Sequence, residues 1–419
     1  MKFVGNWGRL GMKSEWEVYT VQELIDKGML EAPMDGNHGG IHPKVTDYVK
    51  SGVPFIMANN LVNGKVDYRN CAFITEKQAG TLKKGFAHPG DVLLTHKATI
   101  GRTAIVGNEY KTIILTPQVT YYRVKRGISN LYLKYYFDSN EFQQTLANWA
   151  GAGSTRAYLG ITAQRKLPVV LPPLEIQTKI AESCRILDNK IELNDKINEN
   201  LLQQAQTLFY AWFVDYKPFG GVQPSDWKSI SVYDLAEYIN GAAFKKHEYA
   251  DTGLPIIKIA ELKNGITEST QHCCVEKDPK YYIKNRDILF SWSGNPETSI
   301  DTFIWSMGDA ILNQHTFRVV SKYEAPAFTF FLLKYLKPQF THIASNKQTT
   351  GLGHVTVTDL KRLQLCTNRR GIKDFNDLTM PIFEMIYSNC KESQGLSTLR
   401  DSLLPKLMSG ELDVSALGL

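Results

Sequence analysis

Residues 174–213 contain neither glycine nor proline, and they constrain this chain more than any other stretch. Pro172 and Pro173 stand just before them, where proline is tolerated at a helix start. One heptad position reads Ile180, Leu187, Asn194, Leu201, Leu208; the other reads Cys184, Ile191, Asn198, Ala205, Trp212. This alternation of three and four residues predicts one long helix with a coiled-coil seam. Forty residues at about 1.5 Å each make a rod of roughly 60 Å. Asn194 and Asn198 interrupt the seam at its centre, where a buried amide costs stability but fixes register.

A seam this long needs a second helix. The same spacing returns at Ile382, Ile386, Asn389, Leu396, Leu403 and Leu407. One shift in numbering carries Leu187 onto Ile382, Asn194 onto Asn389, Leu208 onto Leu403 and Trp212 onto Leu407, so polar notch falls on polar notch. Gly395 and Pro405 weaken this second helix. The two helices therefore suggest an intramolecular antiparallel pair or an internal duplication.

The duplication extends beyond the helices. Residues 14–24 (SEWEVYTVQEL) align with 225–235 (SDWKSISVYDL), and 51–56 (SGVPFI) with 252–257 (TGLPII). Further on, 90–94 (GDVLL) aligns with 286–290 (RDILF), and 118–121 (QVTY) with 314–317 (QHTF). The matches keep their order along the chain. Short alternating runs such as Val92–Leu94 and Val119–Val124 predict strands, and 131–149 and 327–336 predict amphipathic helices. The expected fold class is α+β: two similar globular domains separated by long helices that form an antiparallel coiled coil, with an internal pseudo-two-fold repeat. The expected boundaries are 16–170 and 227–370 for the globular domains, 171–214 and 376–409 for the helices, and 215–226 for a linker.

Composition narrows the class. A hydrophobic content of 43% with 21% charged residues is that of a globular protein. No apolar run approaches the length of a membrane span. Six cysteines at scattered positions fit neither a zinc site nor a disulfide framework, so a reducing cytoplasm is expected. The net charge of +6 is compatible with nucleic acid.

Several motifs then take on a familiar form. Leu171-Pro172-Pro173-Leu174-Glu175-Ile176-Gln177, followed by Ile180-Ala181 and Leu187-Asp188-Asn189-Lys190-Ile191, resembles the conserved spacer of Type I restriction-modification specificity subunits. Leu208–Asp215 and the C-terminal Leu403–Leu412 resemble the same element. The resemblance covers nearly the whole chain, although the second spacer, Asn368–Met380, lacks the Pro-Pro-Leu-Glu-x-Gln signature. It implies a non-catalytic subunit whose two target-recognition domains each read half of a bipartite sequence in double-stranded DNA. It also implies docking of methyltransferase subunits, two in number, with a restriction-translocase subunit as a further partner. S-adenosylmethionine would be bound by the methyltransferase, leaving no cofactor, metal or catalytic residue in this chain. Two unlike heads on a duplicated frame predict an asymmetric target.

The two halves differ most where strands end, and these polar loops are the expected reading surface. Lys44, Lys97, Arg102, Arg156, Lys245, Lys246 and Lys347 are suited to phosphates or guanine. Asn37, His38, Asn59, Ser154, Thr155, Asn295, Gln348 and Thr349 are suited to base edges or sugar–phosphate contact. Ile176, Leu202 and Phe209 are apolar positions left over from the seam, expected to form the partner dock. Trp7, Trp16, Trp149, Trp227 and Trp305 are expected in the core.

Other chemistries lack their parts. Asn295-Pro296-Glu297-Thr298 misses the second proline and the aromatic of a methyltransferase motif, and no phosphate-cradling G-x-x-x-x-G-K-[ST] loop occurs. Asp251, Glu261 and Lys263 imitate a nuclease site, but the repeat places Asn60 and Val62 opposite Glu261 and Lys263. His38 and His42 are spaced like metal ligands, but the intervening glycines argue against a helix. The competing readings are a specificity-like subunit of another phage-defence complex and a coiled-coil scaffold that binds no DNA.

Overall fold

The computed structural model describes residues 16–151, 157–348 and 352–415. The chain forms two compact units, Met1–Asp188 with Thr398–Leu419, and Asn189–Ser397. The candidate residues Ser154, Thr155, Arg156 and Thr349, and the expected core residue Trp7, lie outside the described residues.

In the first unit, strand Glu17–Thr20 pairs antiparallel with Pro168–Leu171, so the globular part closes on itself immediately before the long helix. Thr20 ends that strand and caps helix Val21–Asp26 through a capping box with Glu23. A six-stranded sheet has the order Met34–Asp35, Val119–Tyr122, Val92–Lys97, Thr99–Ile105, Gly64–Val66, Leu61–Val62. A four-stranded sheet has the order Ala72–Ile74, Val53–Ile56, Ile113–Leu115, Phe86–Ala87, with its central pair parallel. Val92, Leu93 and Leu94 are all fully buried, which explains why this strand reads as an unbroken apolar run.

Ser139 splits the helical stretch into Asn130–Asp138 and Asn140–Trp149, ending the first helix and capping the second. Tyr132, Tyr136, Phe137 and Phe142 from these helices fill one core. Ile180, Ala181 and Cys184 of the central helix complete it, with Leu404, Leu407 and Met408 near the chain's end. Each large side chain buried in this way contributes about 1.5–3 kcal/mol.

The second unit has its own sheets. Lys228–Ser231 pairs antiparallel with Gln364–Thr367. An antiparallel sheet has the order Ala236–Asn240, Thr316–Ser321, Ile288–Ser291, Asp301–Ile304. A five-stranded sheet has the order Tyr249–Ala250, His272–Cys273, Leu254–Ile257, Ala310–Leu312, Tyr282–Ile283, with Leu254–Ile257 parallel to Ala310–Leu312. Helices Pro326–Tyr335 and Lys337–Asn346 follow. Phe328, Phe330 and Phe331 pack with Ala205, Phe209 and Phe213 of the central helix and with Phe375 and Phe383 of the C-terminal helix.

The central helix spans Leu174–Phe213, as its heptads predict. The C-terminal helix spans Arg369–Ser409, so it starts before the expected residue 376 and runs through Pro381, Gly395 and Pro405. Asn368 supplies the start that the missing signature left open, accepting the Gly371 N–H through its side-chain oxygen at 2.7 Å. A Cβ at Gly371 would lie 2.7 Å from the Trp227 ring, so the helix meets that indole through a glycine.

The polar notch lies in the second unit. Asn194 is fully buried and donates to Glu392 at 2.7 Å and to Ser393 at 3.3 Å. Asn389 donates to Asn198 at 2.9 Å, and Lys190 pairs with Glu392 at 3.1 Å. Among the other seam residues, Ile180, Ile386 and Leu407 are buried, while Leu187, Ile191, Leu201, Leu208, Trp212, Ile382, Leu396 and Leu403 are partly buried. No helix among the described residues is long and apolar enough to cross a membrane.

The spacer motif has a physical role in the first unit. Gln177 is 1% exposed. Its Nε2 donates to the carbonyls of Pro172 at 2.8 Å and Gly127 at 3.1 Å, and its Oε1 accepts from Ser129 N–H at 3.0 Å. One turn of the long helix is thereby tied to the start of helix Asn130–Asp138. Asp188 repeats the device, accepting from Tyr135 Oη at 2.6 Å and from Arg400 at 2.6 Å. Gln177→Ala strands one buried N–H and two carbonyls. The expected outcome is a destabilisation of about 2–4 kcal/mol, seen as a lower urea midpoint, at roughly 1–3 kcal/mol for a buried polar group left unmade.

Candidate nucleic-acid interface

In the first unit, strands Val92–Lys97 and Thr99–Ile105 form a hairpin turned by Ala98, whose φ is +63°. The chain returns beside this tip after residue 156. Ala98 donates to Ala157 O and Leu159 donates to His96 O, each at 3.0 Å, and Tyr158 bridges to Lys97. Lys97 is exposed, with Nζ 6.0 Å from the Tyr158 ring centre. Arg102 is exposed on the returning strand, and its backbone N–H donates to Thr95 Oγ1 at 2.9 Å. The fold thus brings Lys97 and Arg102 to the same edge as the segment that follows residue 156.

His96 holds this tip together from within. It is fully buried, and its Nδ1 lies 3.0 Å from Leu159 O. Gln164 donates to the same carbonyl at 2.8 Å and accepts from Tyr122 Oη at 2.8 Å. A carbonyl only accepts, so Nδ1 carries the proton. Burial lowers the His96 pKa from its ordinary 6.5, and the Leu159 contact offsets this only in part.

Nearby, Asp35 is almost fully buried, with His38 at 2.8 Å and Lys84 also bound to it. Burial pushes this carboxyl up, but the hydrogen bonds from Lys84 and His38 outweigh it, and Asp35 stays below its ordinary value. His38 is therefore half committed to Asp35. Asn37 departs from the expected base reader. It is 3% exposed, donating to Lys84 O at 2.6 Å and accepting from Lys83 N–H at 3.0 Å, so its amide holds the loop. His42 contacts Asn37 O at 3.1 Å. Lys44 and Asn59 are exposed.

The second unit has a short strand pairing of its own. Ser293–Gly294 pairs with Gly353–His354, and Val355 donates to Trp292 O at 2.8 Å. Asn295 is exposed but caps helix Pro296–Ser299, accepting from Glu297 and Thr298 N–H at 3.1 Å each. Lys347 is ion-paired with the nearly buried Asp359, so its charge is partly spent inside the domain. Lys245, Lys246 and Gln348 are exposed. Glu261 caps its own helix by accepting from Lys258 N–H at 3.0 Å, an ordinary structural use for the residue that imitated a nuclease carboxylate.

The same edge carries residues absent from the expected set. Asn240 ends strand Ala236–Asn240 and accepts from Trp292 Nε1 at 3.2 Å. The Trp292 ring lies 5.7 Å from both His315 and Phe317, and Gln314 Nε2 lies 3.3 Å from His315 Nε2. In the sequence, Gln314 aligns with Gln118, and Trp292 stands two residues past the aligned run 286–290 as His96 stands two past 90–94. Trp149, expected in the core, is 46% exposed, whereas Trp227 and Trp305 are buried.

The expected partner dock is corrected by packing. Phe209 is fully buried, stacked on Tyr335 at 4.8 Å and edge-on to Phe375 at 5.5 Å. Leu202 packs against the same core, and Ile176 against the core of the first unit. Large apolar side chains that do face solvent are Leu174, Ile186, Leu193, Ile197 and Tyr210 on the central helix, and Leu378, Met385 and Leu399 on the C-terminal helix.

Comparison with known proteins agrees with the sequence motifs. Residues 13–203 and 224–366 match the family described as Type I restriction modification DNA specificity domain. The specificity subunit of the Type I restriction enzyme MjaIX of Methanocaldococcus jannaschii is 28% identical over 96% of this chain and 95% of its own. That of the HindI enzyme of Haemophilus influenzae is 22% identical over 86% of this chain and 94% of its own. The crystal structure of a Type I restriction-modification S subunit from M. genitalium aligns with 97% of this chain and 98% of its own, at 14% identity and a TM-score of 0.49.

The His96 contact yields a pH test. A histidine whose folded pKa is lowered contributes stability above its unfolded value, and that stability is lost as the pH falls below about 6.5. The melting temperature is expected to drop between pH 7 and pH 5, with a smaller drop in His96→Gln. An equal drop in both proteins contradicts the assignment.

Proposed function

This chain belongs to the Type I restriction-modification DNA specificity family, and from that membership we propose that it reads a bipartite, asymmetric target with its two globular domains. It is the DNA-recognition subunit of such a system and is non-catalytic.

The observation that carries the bipartite reading is the repeated edge. In one unit Leu159 N–H donates to His96 O; in the other Val355 N–H donates to Trp292 O. Gly36 follows strand Met34–Asp35, and Gly241 follows strand Ala236–Asn240. At both glycines a Cβ would collide with backbone, 1.9 Å from Leu115 O and 2.2 Å from Asn313 O. The same backbone construction with different side chains supports an internal pseudo-two-fold repeat and two unlike half-sites. The descending order of contacts, Asn194 with Glu392 and Asn198 with Asn389, supports an antiparallel coiled coil between the long helices. Such a spacer sets the distance between half-sites geometrically.

The long helices also dock the methyltransferase, two copies per chain, which bind S-adenosylmethionine and act in the cytoplasm; a restriction-translocase subunit joins this complex. Leu193 and Ile197, four residues apart on the central helix in the second unit, form an apolar patch left open by the core. For DNA, Lys97 and Arg102 supply sequence-independent phosphate contacts.

Two experiments test this reading. Leu193→Glu with Ile197→Glu is expected to abolish co-purification with the methyltransferase while leaving the circular dichroism spectrum unchanged; full co-purification would sink the dock. In the assembled complex, Lys97→Ala is expected to weaken all duplexes alike and to lower the slope of log affinity against log salt by about 1. A loss confined to one sequence would instead make Lys97 a base reader.

A further inference from the structure

Among the exposed polar side chains at the two edges, Asn240 is held so that its amide has a defined orientation. Asn240 is exposed, and its backbone is fixed on both sides. Residue 240 pairs with Phe317 in the sheet, and Gly241, next in the chain, donates to Thr316 O at 3.1 Å. Its amide is fixed too. Trp292 Nε1 approaches Asn240 Oδ1 at 3.2 Å. An indole N–H can only donate, so the amide oxygen must face it. The amino group is then turned away from the indole, at a strand end that faces solvent. The indole itself rests on Phe317 and beside His315. The result is a donor pre-aimed by a ring that is packed in place, the arrangement that precise recognition needs.

We infer that Asn240, oriented by Trp292, is a specificity-determining residue that reads an acceptor-bearing base edge, guanine or thymine, in the half-site bound by the second domain. The inference rests on the DNA-recognition reading above and names the residue pair that carries out part of it. In the major groove guanine shows the acceptors O6 and N7 and thymine the acceptor O4, adenine sets an N6 donor beside its N7 acceptor, and cytosine shows only the N4 donor. An outward amino group therefore gains most at guanine or thymine, whose edges carry no opposing donor, and gains nothing at cytosine.

The test selects bound duplexes from a random pool with the assembled complex, using wild-type chain and then Asn240→Asp, Asn240→Ala and Trp292→Phe. Asn240→Asp keeps an acceptor for the indole but turns an oxygen outward. It is expected to move one base preference, in one half-site only, from guanine or thymine to cytosine or adenine. Asn240→Ala and Trp292→Phe are expected to reduce discrimination at that base about tenfold, while affinity for random duplex stays unchanged. Asn240→Asp selecting the wild-type sequence with undiminished discrimination would overturn the proposal. So would a uniform loss over all sequences, which marks a structural role. A wild-type complex that selects no sequence would instead defeat the DNA-recognition reading itself.

Discussion

Anchorage of the two long helices is the constraint on which everything else depends. A helix of forty residues that carries Asn194 and Asn198 in its seam gains little from that seam alone. It is secured instead at buried polar points. Gln177 ties its first turns to Gly127 and Ser129, and Asp188 receives Tyr135 and Arg400. In the second unit Asn376, on the C-terminal helix, accepts from Ala327 N–H at 3.1 Å and so caps helix Pro326–Tyr335. Segments of both long helices complete each core, so each globular part depends on the rod for part of its stability.

This anchorage explains what was legible in the sequence. The central helix was readable in full because no glycine or proline interrupts it and its heptads are unbroken. The start of the C-terminal helix was not, because Asn368 caps it in place of the spacer signature. Phe209 was misread for a related reason. A heptad pattern separates the seam from everything else on a helix, but it does not reveal that a globular domain covers a second face. Phe209 belongs to that second face, whereas Leu193 and Ile197 belong to neither.

The polar loops were legible as a set, because the aligned halves of the sequence differ most at strand ends, but the state of each side chain in them was not. Within those loops, residue type was a poor guide. Asn37 and Lys347 have suitable chemistry, yet one is buried in its loop and the other is paired with Asp359. Trp292 was not singled out from the sequence. Its role here depends on a partner fifty-two residues earlier in the chain, and only the sheet brings the two together.

The central claim is that one chain carries two unlike reading heads on a duplicated frame. Methylation mapping by long-read sequencing, in a host carrying this chain with its neighbouring methyltransferase, tests it most directly. The account predicts a single new motif of two unlike halves separated by a fixed gap. A palindromic or uninterrupted motif, or none from an assembled complex with an active methyltransferase, would contradict it.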